Sequence, residues 1–135
     1  MNARADDLAE QAAKKEAADS RRAAKSDGTA EVLAAIAAMT GSDRTIGERL
    51  IEIVKESAPQ LTPRLWYGMP AWAKDGKVVC FFQSAQKFKT RYATLGFQHE
   101  AKLDEGRMWP VAFAVIDLTA AEETRIGELV KKAAS

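Results

Sequence analysis

From Thr29 onward the apolar positions fall at helical spacing: Val32, Leu33, Ile36 and Met39 form one stripe, which Thr40-Gly41 brings to an end. A second stripe, Ile46, Leu50, Ile53 and Val54, follows Ser42 or Asp43, either of which can cap its helix, and Pro59 lies just past its end. Leu61 continues that core contact, and Thr62-Pro63 turns the chain into a segment whose pattern is no longer helical. There Asp75-Gly76 predicts a two-residue hairpin loop, because both central positions need positive φ, which glycine adopts freely and Asp tolerates. The loop sets a register with Lys74 opposite Lys77, Trp72 opposite Val79, and Pro70 opposite Phe81 at a strand start. Alternation then sends Val78, Cys80 and Phe82 to one face and Val79 and Phe81 to the other. Both faces are apolar, so this strand is central, covered on one side by helices and on the other by helices, a partner subunit or a ligand.

Beyond the hairpin, Gln83 to Lys87 reads as a loop or short helical turn, and Lys89 to Phe97 as a third strand with one solvated face. Gln98 to Leu103 suggests a helical turn, and Val111 to Ile116 is the last strand, apolar on both faces. Thr119-Ala120-Ala121-Glu122 is a capping box that opens a closing helix with the inner stripe Ile126, Leu129, Val130 and Ala133. The order predicts an α+β fold: an antiparallel sheet of four to five strands with N-terminal and C-terminal helices packed on it. Residues 1–27 differ. They hold one large aliphatic besides Met1, Leu8, among six acidic and six basic side chains, so they predict a flexible or solvated helical arm preceding a domain at 28–135.

A chain of 135 residues buries a core without metals or disulfides, and its net charge of +1 gives no overall field for a polyanion. One cysteine excludes an intramolecular disulfide and fits a reducing cytoplasm. The longest apolar run is far short of a membrane span, and Met1 to Asp7 carry no hydrophobic signal region, so a cytoplasmic location is expected.

Charge is uneven locally. Arg64 to Tyr92 holds six basic residues and one acidic, and Lys87, Lys89 and Arg91 alternate with Phe88 and Tyr92 as in single-strand nucleic-acid binders; alternation alone also describes one solvated strand face. Residues 98–128 reverse the balance, with seven acidic and three basic side chains. Within them His99, Glu100, Asp104 and Glu105 are candidate ligands for a weakly bound metal such as iron, although their spacing matches no metal motif and a solvated turn has the same composition. Cys80, flanked by Val79 and Phe81, reads as a buried thiol rather than a nucleophile, and no phosphate loop or dinucleotide fingerprint is present, so an enzyme is not expected. Trp66, Tyr67, Met69, Trp72, Phe81 and Trp109 lie at strand ends and turns, where they line an apolar pocket with polar handles or build the core.

Several blocks in order resemble the YdhG-like family of domains of unknown function: Trp66 to Trp72, Gly76 to Phe82, Ala93 to Phe97, and Leu103 to Pro110. The resemblance covers about residues 28–134 and implies a compact α+β fold with a curved antiparallel sheet. One branch of that family is described as a frataxin-like iron chaperone, but no iron ligands transfer by position. The sequence therefore leads to a non-enzymatic binding or carrier domain for a metal ion or small molecule. Its alternatives are a protein interaction module or homodimer using the sheet face and, more weakly, single-stranded nucleic-acid binding.

Overall fold

Five antiparallel strands, arranged in space in the order of the chain, form one sheet with helices packed on it. The computed structural model describes residues 28–135; the arm expected over residues 1–27 lies outside them. Helix α1 spans residues 28–37 and α2 Gly41–Ser57. The sheet follows as β1 Thr62–Trp66, β2 Met69–Lys74 and β3 Lys77–Gln83, then the short helix α3 Ala85–Phe88, β4 Ala93–Phe97 and β5 Ala112–Val115. Helix α4, Ala120–Ala133, closes the chain. The fold is α+β, as the element order implied, and no helix among the described residues is long and apolar enough to cross a membrane.

The helical stripes build the core as their spacing requires. Val32, Ile36, Ile46, Leu50, Ile53, Val54, Ile126 and Val130 are all buried, while Leu33 turns outward at 49% exposed. Ile46, Leu50, Ile53 and Val54 meet Trp72, Cys80, Phe82, Leu95 and Phe97 from one face of the sheet. Each large side chain removed from water there contributes about 1.5–3 kcal/mol, so the stripe positions dominate stability. The capping box opens α4: the Thr119 N–H donates to Glu122 Oε1 at 2.7 Å, and the Thr119 hydroxyl reaches the same oxygen.

Five local expectations are corrected. First, β1 exists as a strand of its own, joined to β2 by a Tyr67-Gly68 turn; Pro63 is tolerated within it because β1 is an edge strand. Second, Lys74 does face Lys77, but a bulge shifts the register, so Trp72 faces Cys80 and Ala71 faces Phe81. Val79 is the extra residue and joins Cys80 and Phe82 in the core instead of sharing a face with Phe81, a bulge locally suspending alternation. Third, β4 begins at Ala93 rather than Lys89, because residues 85–88 wind into α3 and Lys89 ends it in the left-handed region at φ 55°. Fourth, Asp43 does not cap α2. It is 5% exposed in that helix's first turn, and its carboxylate accepts the Ala85 and Gln86 N–H groups, starting α3. Fifth, β5 is not covered on both sides: Ala112 and Ala114 pair with Gly96 and Thr94 on the sheet face turned away from the described helices, and both are exposed.

Candidate functional site

Residues paired across an antiparallel ladder share a face, so the register defines the second surface of the sheet. Arg64, Ala71, Phe81, Gly96 and Ala112 form one row across all five strands, and Trp66 pairs with Met69 beside it. Among the described residues the helices gather on the opposite face, and none of them covers this one. A Cβ on Gly96 would stand 2.2 Å from Phe81 Cζ, so the glycine is the bed on which the Phe81 ring lies. The Trp66 ring is 5.1 Å from Phe81 and 5.0 Å from Tyr67, the latter edge to face.

Tyr67 stands out. It holds φ 52° at the first position of a turn whose second residue, Gly68, has φ 77°. Asp75-Gly76 has the same signs with a residue type suited to them, whereas an aromatic there is strained by about 1 kcal/mol or more. The strained residue is also 82% exposed, so burial does not explain its presence. Around it the charges are mostly positive. Arg64 reaches the Gly76 carbonyl at 3.4 Å, Lys87 Nζ lies 3.5 Å from the Gly68 carbonyl, and Lys77 is 4.0 Å from Glu100, the acid that borders this patch.

The six aromatic and sulfur candidates therefore separate. Trp66, Tyr67, Met69 and Phe81 share the open face, Trp72 is buried at 2% exposed in the opposite layer, and Trp109 packs half-buried against the core cluster. They do not line one pocket. The bulge and the edge position of β1, neither readable from periodicity, decide the division. Arg64 and Lys77, which frame the aromatics, escaped the sequence reading, although strand alternation from Trp66 places Arg64 on its face.

The metal candidates do not converge. His99 lies with Nδ1 3.7 Å from Glu100 and is otherwise exposed, Asp104 and Glu105 are exposed, and no three His, Cys, Asp or Glu side chains among the described residues are grouped to hold a metal ion. This donor set does not fit an iron centre. Lys87, Lys89 and Arg91 do not form a stripe either: they sit in α3, at its left-handed cap and beyond it, and Arg91 stacks 5.3 Å from the Tyr92 ring. Cys80 is fully buried, and burial pushes its thiol up to about 12, far from a nucleophile's range. No family model, no curated protein and no solved structure matches the chain.

Proposed function

We propose that the chain is a non-enzymatic, cytoplasmic binding module that takes an acidic protein segment onto the open face of its sheet. The observation that carries this reading is Tyr67, a strained aromatic turned out to solvent beside Trp66 and Phe81 and framed by Arg64, Lys77 and Lys87. Aromatic anchors ringed by cations suit a partner with apolar side chains set among carboxylates. A second copy is disfavoured on this face, because self-pairing opposes like charges. Single-stranded nucleic acid fits less well: Trp66, Tyr67 and Phe81 pack edge and tilt against one another, and Arg91 lies elsewhere. Iron carriage, which the YdhG-like resemblance suggested, has no converging ligand set among the described residues to support it.

The test is an NMR titration of labelled protein with a glutamate–tyrosine copolymer and, separately, with an oligothymidylate. The copolymer is expected to shift the Trp66 indole and the Tyr67, Gly68 and Phe81 amides, with affinity falling as salt is raised. Tyr67→Ala is expected to weaken it about tenfold or more. Tighter binding of the oligonucleotide at the same residues, or no response to either, overturns the reading.

A further inference from the structure

On the helical side of the sheet lies a pocket of about 330 Å³, between α1, the C-terminal half of α2 and the first two strands. Val32, Leu33, Val54, Leu61 and Pro63 make its lining apolar, and Trp72 contributes to it from β2. Its two charged lining residues, Glu52 and Lys55, lie 3.8 Å from each other, so it offers no unbalanced charge to an ionic ligand.

Trp72 gives the pocket its chemistry. The side chain is 2% exposed, and its indole N–H, its one polar group, donates to no acceptor among the described residues. A buried donor left unpaired costs about 1–3 kcal/mol, and native interiors seldom retain one without a reason. Pro63, opposite Trp72 in the ladder, lines the same space and has no N–H, so on the strand side of the pocket the indole is the side-chain donor, while Thr29 and Lys55 line it from the helices. Ligand pockets begin at about 300 Å³ and combine an apolar lining with very few placed polar groups. The volume here is at the small end of that range.

We infer that this pocket binds a compact, neutral, largely apolar molecule carrying one strong hydrogen-bond acceptor, such as a ketone, ester or amide carbonyl, which takes the Trp72 indole N–H. The apolar body lies along Val32, Val54 and Leu61, and the acceptor supplies what the protein withholds from the indole. The site is separate from the aromatic face, because Trp72 and Trp66 belong to opposite sides of the sheet.

The experiment compares acetophenone with ethylbenzene, which has nearly the same shape and no acceptor, using the full chain labelled with ¹⁵N. The Trp72 indole cross-peak is assigned by its absence in Trp72→Phe. Acetophenone is expected to move that cross-peak saturably and to bind about tenfold tighter than ethylbenzene, the advantage of one hydrogen bond to an unpaired donor. In Trp72→Phe that preference falls to about onefold. Leu33→Trp, a change at a half-exposed lining position that leaves Trp72 in place, fills the space and abolishes binding of both probes. Equal affinities in the wild type, a response at Trp66 or Trp109 in place of Trp72, or no binding of either probe overturns the inference.

Discussion

Replacing Asp43 by alanine removes both acceptors that start α3. The carboxylate is 5% exposed and takes the Ala85 N–H at 3.0 Å and the Gln86 N–H at 2.9 Å, joining α2 to an element 42 residues further on. A hydrogen bond to a charged group contributes about 1.5–3 kcal/mol, and loss of a capping residue costs about 0.5–2 kcal/mol. Both bonds are only part-buried, so their joint loss is expected near the lower sum, about 2–4 kcal/mol. For a domain stable by about 5–15 kcal/mol, that is a large share. The assay is urea unfolding. With m of about 1–3 kcal/mol/M, the midpoint is expected to fall by about 1–3 M at unchanged m. Asp43→Asn, which keeps one acceptor oxygen, falls between, and native-state hydrogen exchange is expected to lose protection at Ala85 and Gln86 while α2 keeps its own. An alanine variant within about 0.5 kcal/mol of wild type would refute the capping argument.

Three further outcomes follow from the same geometry. Cys80, raised by burial from 9.0 to about 12, keeps its proton in the folded state while the unfolded thiol ionises; stability is therefore full below pH 9 and falls as pH rises toward 12. The slope is up to about 1.4 kcal/mol per pH unit, and Cys80→Ala is expected to remove that component in denaturation measured across the window. Gly96→Ala pushes a Cβ into the Phe81 ring, costing about 1–3 kcal/mol, and Phe81→Leu in the same chain recovers part of it, a coupling read by a double-mutant cycle. Glu123 accepts two hydrogen bonds from Arg49, at 2.9 and 3.0 Å, and they hold its carboxyl below the ordinary range. Its contribution is present above the ordinary carboxylate pKa and fades as pH falls through the folded value, so Glu123→Gln is expected to match wild type at low pH and differ from it at neutral pH.

Sequence pattern carried the helices and the Asp75-Gly76 turn, because their signals are local. The stripe of α2 and the Thr119–Glu122 box needed only spacing and capping chemistry, and both are found where spacing puts them. What pattern did not carry was decided by tertiary context. The Tyr67-Gly68 turn has an aromatic where Asn or Asp signals the same backbone, so the pattern marks a strand start at Pro70 and no strand before it. The Val79 bulge leaves no mark in a run of apolar residues that are acceptable on either face. Asp43 has the composition of a cap for its own helix, and only the folded chain brings Ala85 and Gln86 to it. For the same reason the aromatic candidates were recognisable as a set, but their partition into an open face, a buried layer and a half-buried position beside the core was not.

The sheet's strand order is also its order of synthesis, β1 through β5, with no strand inserted between two earlier ones. Each strand therefore closes onto the one made just before it, across two-residue turns in the first two hairpins and across longer connections, residues 84–92 and 98–111, in the next two; loop closure costs rise only slowly with length. The long-range step is the meeting of α2 with α4, exemplified by Arg49 and Glu123, 74 residues apart. Until α4 has been made, Ile53 and its neighbours in α2 lack part of their cover. Assembly thus separates into a rapid local meander and a slower final docking, and the surface most vulnerable during growth of the chain is the one the last helix seals.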